Sequence, residues 1–288
     1  MRKLYDVDMR EYTTFRAGGR AAEMVVCDTA EELAETVLSL KREGKPCIML
    51  GNGSNTLFTD RGYKGTVIRL GRDFRAVAVH GVSVVCGADV SVAAAAKAAL
   101  AANLTGFEFA SGIPGSIGGA LFMDAGAYGG EMKDVVTEAQ ILRIGTGQVE
   151  TVAAAEMELS YRHSVFQTSG DIILSVTLGL KPGDHDAIAA EMNELTRRRN
   201  AKQPVQYPSA GSFFKRPEGC FAGKLIQDAG LKGLSVGGAQ VSEQHSGFII
   251  NKGDATADDI IRLMHLVQNT VRDKFGVVLE PEVRIIGD

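Results

Sequence analysis

The sequence of 288 residues predicts a mixed helix-and-strand protein built from two or three domains. Three observations carry this reading. The length exceeds what one ordinary hydrophobic core accommodates. Short β-branched runs that read as strands alternate with amphipathic runs that read as helices. A composition shift at Pro182-Gly183-Asp184 separates a strand-rich stretch from a polar helix, and a further unit begins after Tyr207-Pro208-Ser209-Ala210-Gly211. A hydrophobic content of 45% with 23% charged residues belongs to a soluble globular chain. The net charge of −4 offers no electrostatic footprint for nucleic acid or an anionic membrane.

The elements follow in order. The N-terminal residues Met1-Arg2-Lys3-Leu4-Tyr5-Asp6 are interrupted by charges and lack an apolar signal core, and no run approaches the roughly 18 apolar residues that span a bilayer, so no membrane insertion and a cytoplasmic location are expected. Thr29 to Gly44 reads as a helix: Glu31 and Glu32 suit its positive start, Leu33, Val37 and Leu40 form a stripe, and Gly44 ends it. The apolar run 47–50 is a strand entering a glycine-rich turn. Residues 66–70, 76–79 and 82–86 read as further strands, and 91–102 as an alanine-rich helix. From 135 to 180, β-branched segments alternate with turns such as Gly145-Thr146-Gly147. A polar helix runs over 186–199, a second over 222–229, and 247–251 is strand-like. Thr256 and Asp259 give a capping-box start to a long helix ending at Phe275, with Ile260, Met264, Val267 and Val271 at helical spacing. The closing run 277–286 alternates as a strand, and Pro281 places it at an edge or bulge.

Two glycine-rich turns are the most informative local feature. One is Leu50-Gly51-Asn52-Gly53-Ser54-Asn55, and the other spans 106–120 and contains Ser111-Gly112-Ile113-Pro114-Gly115-Ser116-Ile117-Gly118-Gly119. Glycine permits close approach to the main chain, and successive bare N–H groups form a concavity that suits phosphate oxygens. Neither run is a Walker A sequence, and neither is a clean Gly-x-Gly-x-x-Gly with an acidic residue about twenty positions later, which disfavours a Rossmann site. Two separate turns suggest one extended phosphate-bearing ligand held from two sides.

Other candidate chemistry is more dispersed. Period two in the closing strand puts Glu280, Glu282, Arg284 and Ile286 on one face, where a carboxylate beside a guanidinium could hold and polarise an anion. Ser212 stands between Gly211 and Phe213-Phe214 without a Gly-x-Ser-x-Gly elbow, so it reads as a hydrogen-bond or proton donor in an apolar pocket, not a nucleophile. Arg162 is flanked by Tyr161 and His163. The run Arg197-Arg198-Arg199 with Lys202 is the only dense basic cluster. The five histidines are scattered without ligand spacing, so no metal site is expected, and His265 in the long helix reads as a surface or interface residue. The four cysteines show no CxxC spacing and read as small buried hydrophobes.

These runs, with Thr13-Thr14-Phe15-Arg16-Ala17-Gly18-Gly19, Tyr161-Arg162-His163-Ser164-Val165-Phe166, Ala210-Gly211-Ser212-Phe213-Phe214-Lys215 and Leu279-Glu280-Pro281-Glu282-Val283-Arg284, resemble in order and across nearly the whole chain the UDP-N-acetylenolpyruvoylglucosamine reductase family. The resemblance implies an α+β fold in three parts: two subdomains over 1–71 and 72–182 that bind FAD in the manner of vanillyl-alcohol-oxidase-like flavoproteins, and a substrate-binding domain over 183–288. It implies a non-covalent FAD, NADPH as co-substrate, and reduction of an enolpyruvyl nucleotide sugar to UDP-N-acetylmuramate in peptidoglycan synthesis. Matched position by position, Arg162, Ser212 and Glu282 fall on the catalytic residues, and Lys202, Lys215 and Arg284 on substrate contacts. Leu50, Gly51, Asn52, Gly53, Ser54 and Asn55, with Ser111, Gly112, Pro114, Gly115, Ser116, Gly118 and Gly119, fall on the cofactor site. Val165 to Asp171 runs almost directly into a strand, which resembles the branch without an inserted lid loop, and Arg216 departs from an asparagine seen in some members. Two alternatives stand beside this reading: another FAD-dependent sugar or lactone oxidoreductase, and a nucleotide-binding module without catalysis.

Overall fold

The computed structural model of the protein describes residues 1–287, so only the final residue of the expected 183–288 domain, Asp288, lies outside the described residues. The chain forms two compact units. The first comprises Met1–Lys3, Met24–Asn52 and Thr66–Arg199; the second comprises Leu4–Glu23, Gly53–Gly65 and the chain from Asn200 onward. Helices and largely antiparallel sheets are both present, which makes the protein α+β.

The first unit is organised around a five-stranded antiparallel sheet. Its strand order is Val149–Ala153, Val136–Leu142, Ile172–Gly179, Ser83–Gly87, Val77–His80. The central strand Ile172–Gly179 is buried on alternating and consecutive positions alike, as expected for a strand covered on both sides. Elsewhere Cys47–Met49 pairs in parallel with Thr66, Val67 and Ile68. Helix Ala30–Arg42 starts where the Thr29 hydroxyl accepts the Glu32 N–H at 3.3 Å and buries Leu33, Val37 and Leu40, the predicted stripe. Helix Val92–Ala101 buries Ala95, Ala96 and Ala99, whose small side chains let it lie close to the core. Phe166–Ser169 forms a single helical turn before strand Ile172–Gly179, which leaves no room for an inserted loop between them.

The second unit has its own core, in which Phe15, Leu57, Phe213, Phe214, Ile260, Leu263, Val267 and Val271 are buried. Its antiparallel sheet runs Ser209–Ser212, Phe248–Asn251, Ala239–Val241, Ser235–Val236. Helix Ala257–Phe275 covers it, starting in a Thr256–Asp259 capping box and ending at Gly276 with φ +70°. A more distant residue strengthens that start. The Asp60 carboxylate accepts the N–H groups of Ala257 at 2.9 Å and Asp258 at 2.8 Å, so a charge opposes the positive helix end.

Several expectations are corrected here. The strands Arg2–Asp8 and Arg20–Cys27 and the short helix Ile117–Phe122 were not legible, because charges interrupt the first two and glycines dilute the third. The closing segment is a regular strand only over Arg284–Ile286, paired in parallel with Thr56–Phe58. Pro281 lacks an N–H and makes only an isolated bridge with Phe214. Cys27 and Cys86 are buried as expected, and burial pushes the Cys86 thiol up to about 12. Cys47 is exposed and Cys220 half-buried. No helix among the described residues is long and apolar enough to cross a membrane.

The Asp60 cap gives a direct test. Asp60→Ala should lower unfolding stability by about 1–2 kcal/mol in urea titration, the usual cost of losing a helix cap, and Asp60→Asn should recover part of it. Equal stability of all three proteins would show that the Thr256–Asp259 box suffices alone.

Candidate active site

The two glycine turns meet within the first unit. A Cβ built on Gly51 would lie 2.5 Å from the Ser116 hydroxyl oxygen, so the turns touch only because residue 51 carries no side chain. Ser116 in turn accepts the Gly119 N–H at 3.3 Å. The second turn is pinned from behind: Ile117 N–H donates to Val90 O at 2.7 Å and Gly118 N–H to Ala88 O at 3.0 Å. A Cβ on Gly118 would press on Ala88 at 2.8 Å. Gly118 and Gly119 therefore contribute space and not free donors. Among the described residues, the N–H groups of Gly51, Asn52, Gly112, Gly115 and Ser116 meet no backbone or side-chain acceptor, which is the donor pattern an anionic ligand satisfies. The Ser111 hydroxyl is buried without a hydrogen-bond partner on the same turn. A phosphate-bearing cofactor fits this surface, because it supplies acceptors where the protein has none.

Arg162 sits at the tip of a tight turn in which Ser160 and His163 exchange N–H···O bonds of 3.2 and 2.8 Å. Its φ is +58°, a conformation that costs a non-glycine residue about 1 kcal/mol or more and persists only when the surroundings enforce it. The enforcement is visible. Ser164 Oγ donates to Phe122 O at 2.7 Å, and the Gln167 amide donates to Phe122 O and Arg162 O, both at 3.0 Å. The Arg162 guanidinium lies over the Tyr161 ring at 4.9 Å and reaches Asp124 O at 3.5 Å. Asp124 went unnoticed in the sequence. It is fully buried, with Oδ1 accepting the Lys133 N–H at 2.8 Å and Oδ2 unmatched, and burial pushes its carboxyl above the ordinary range. An acidic residue inside an apolar run was the available signal.

In the second unit, Ser212 and Glu282 are both tied to Phe213, Ser212 as its neighbour in the chain and Glu282 through a backbone bond. Phe213 N–H donates to Gly247 O and Phe213 O accepts the Glu282 N–H, both at 2.8 Å. Gly211 takes φ +78° at a register shift between Ser209 and Ser212, after which Ser212 pairs with Phe248 at the end of its strand. Ser212 is exposed, not enclosed in an apolar pocket as expected, because Phe213 and Phe214 point into the core instead. Phe213 packs edge-on against Phe15 at 6.2 Å between centroids. Glu282 is half-buried, and its carbonyl accepts the Asn55 amide at 3.0 Å. Asn55 O accepts the Arg284 N–H at 3.0 Å, and crowding by protein pulls the Arg284 guanidinium below the usual arginine range. Gly53, at φ +62°, backs onto Tyr12 O, where a Cβ would stand 2.2 Å away. Lys215 pairs with the Glu280 carboxylate, Arg216 stacks on Phe221, and Lys202 is exposed at a helix end.

The basic cluster divides. Glu194 accepts Arg197 at 2.8 Å and Arg198 at 2.7 Å on the helix surface, and both arginines hold its carboxyl at about 2. Arg199, five positions on, is out of reach of that carboxylate, as helical spacing requires.

Comparisons with known proteins agree along the whole chain. The family profile described as the C-terminal domain of UDP-N-acetylenolpyruvoylglucosamine reductase matches residues 203–286, and an FAD-binding domain profile matches 21–153. A UDP-N-acetylenolpyruvoylglucosamine reductase of Alkaliphilus oremlandii is 49% identical over 99% of this chain and 93% of its own length. The chain belongs to the UDP-N-acetylenolpyruvoylglucosamine reductase family. A Caldanaerobacter subterraneus relative of the same name is 47% identical over 99% of this chain and 94% of its own. The crystal structure of the reductase of Thermus caldophilus superposes with a TM-score of 0.85 at 34% identity, covering 99% of this chain and 98% of that one.

The contact between the turns is testable by a double-mutant cycle. Gly51→Ala should lower stability and flavin content, and the loss should shrink in a Ser116→Ala background, where the nearest side-chain atom would be Ser116 Cβ at 3.6 Å. A coupling of about 0.5 kcal/mol or more is expected from urea titration; strict additivity would place the two turns apart.

Proposed function

We infer that this chain catalyses the NADPH-dependent reduction, through FAD, of UDP-N-acetyl-3-O-(1-carboxyvinyl)-glucosamine to UDP-N-acetylmuramate, a step of peptidoglycan synthesis. The observation that carries this is identity of 47–49% with curated reductases across 99% of the chain. The division into 1–71, 72–182 and 183–288 is proposed as an assignment of roles, with FAD held by the first two parts and the nucleotide sugar by the third.

FAD, when bound, supplies the hydride obtained from NADPH. The chain's own residues then have distinct tasks. The bare N–H groups of Gly51, Asn52, Gly112, Gly115 and Ser116 would donate to the cofactor's pyrophosphate, with Leu50, Gly53, Ser54, Asn55, Ser111, Pro114, Gly118 and Gly119 shaping the same two turns. Neither turn contains a histidine or cysteine to bond the flavin, which is why non-covalent binding is proposed. Addition of hydride to the methylene carbon leaves negative charge on the carbon beside the substrate carboxylate. Arg162 and Glu282 stabilise that charge, Glu282 through a proton or a hydrogen bond it donates. Ser212 delivers the proton to that carbon. A hydroxyl is a weak acid, so it works only when held in place against a strongly basic centre. The support for this role is positional: Phe213 is locked by two backbone bonds and a buried ring, and it fixes Ser212 and Glu282 on either side of it.

Lys202 and Arg284 are assigned to the diphosphate and carboxylate of the nucleotide sugar, with Lys215 beside them. Arg284 and Lys215 are set on segments anchored to the core, whereas Lys202 is an exposed ammonium that gains most from an anionic partner. Lys202→Ala should raise the KM for the nucleotide sugar several-fold with flavin content unchanged. An unaltered KM would return Lys202 to the solvated surface.

The decisive measurement concerns Ser212. In stopped-flow absorbance, Ser212→Ala should leave flavin reduction by NADPH almost untouched. Reoxidation by the enolpyruvyl nucleotide should slow by about 10²–10⁴-fold, the usual contribution of a positioned proton donor. Ser212→Cys should restore part of that rate. Equal slowing of both half-reactions would assign Ser212 to pocket shape, and the proton donor would be sought at Glu282.

A further inference from the structure

Arg199 differs from every other arginine of its run. Arg197 and Arg198 share Glu194 at the helix surface. Arg199 is half-buried, and among the described residues no carboxylate pairs with it. It lies on the second glycine turn within the first unit. The position a Cβ would take on Gly112 is 3.0 Å from Arg199 Cδ, 3.9 Å from Nε and 4.0 Å from Nη1. Any side chain at residue 112 would displace the arginine. Desolvation pulls its guanidinium below the ordinary arginine range, and among the described residues it is opposed by the Tyr128 hydroxyl. A half-buried cation without a counter-charge is costly, because solvation is lost and nothing in the protein replaces it. The neighbouring Ser111 hydroxyl is buried and also unmatched. One turn therefore carries an unpaired cation, an unpaired hydroxyl and the free N–H groups of Gly112, Gly115 and Ser116.

We propose that Arg199 and Ser111 bind a phosphate ester, the pyrophosphate of FAD, against the Gly112–Ser116 turn, and that Arg199 is the cofactor's counter-charge. The inference rests on the reading of the glycine turns as the FAD site. Phosphate esters also occur in NADPH and in the nucleotide sugar. FAD is favoured because Ser111 and Gly112 lie within residues 21–153, which match an FAD-binding domain. Arginine suits this place better than lysine, since its planar fork can engage two phosphate oxygens while its stem packs on the glycine.

The test uses apo-protein freed of flavin and titrated with FAD, FMN and riboflavin by flavin fluorescence. Arg199→Gln should weaken FAD roughly tenfold or more, the scale of a charge-assisted hydrogen bond, and leave riboflavin unchanged. Its apo-protein should melt no lower than wild-type apo-protein, because an uncompensated charge has been removed, and saturating FAD should raise its melting temperature less. Arg199→Lys should fall between, and Ser111→Ala should weaken FAD more modestly. Arg198→Gln should bind FAD as wild type does. The proposal is overturned if Arg199→Gln binds FAD within twofold of wild type, or if FAD binding holds while the KM for the nucleotide sugar or NADPH rises. It is also overturned if the variant apo-protein melts well below wild type, which would make Arg199 structural. The parent reading fails separately: wild-type apo-protein would then hold riboflavin as tightly as FAD.

Discussion

Close approach of one backbone to another, allowed by glycine in the segment Leu50–Asn55, is the constraint on which the candidate site depends. Gly51 has no side chain, so Ser116 can reach the first turn from the second. Two residues on, and within the second unit, Gly53 lies against Tyr12, and Asn55 holds the backbone of Glu282. A Cβ at 51 or 53 would meet a polar atom at 2.5 or 2.2 Å, distances that no packing adjustment of a few tenths of an ångström relieves.

Main-chain bonds fix the backbone at each of the catalytic candidates. Glu282 is positioned by Phe213 and Asn55, Ser212 by the register shift at Gly211, and Arg162 by a turn clamped to Phe122. Such anchoring explains why strain collects at Arg162: its left-handed backbone is maintained by bonds from Ser164 and Gln167, which stand on either side of buried Phe166.

Charge is distributed on the same logic. Surface arginines such as Arg197 and Arg198 have carboxylate partners, and such exposed pairs contribute little to stability. The half-buried Arg199 and the buried Asp124 carboxyl are exceptions, each beside one of the proposed binding elements. Perturbed groups of this kind concentrate where a protein receives ligands.

Much of this was determined by the sequence alone. The helices from Ala30, Val92 and Ala257, the strands around Cys47 and Ser83, and the two glycine turns follow from local periodicity, capping residues and the steric freedom of glycine, which depend on near neighbours in the chain. The proposed site residues stand in motifs that the sequence displays. Tertiary structure decided what those motifs could not express. It bonded Glu282 to Phe213, the residue after Ser212, exposed Ser212 although two phenylalanines follow it, and limited the closing strand to Arg284–Ile286. It also set Asp60 at the start of a helix nearly two hundred residues away. It separated Arg199 from Arg197 and Arg198, although a spacing of three and four from Glu194, against five, was already written in the helix. The reason is physical: periodicity records which face a residue occupies, whereas burial, hydrogen-bond partners and the fate of a charge depend on segments distant in the chain that only folding brings together.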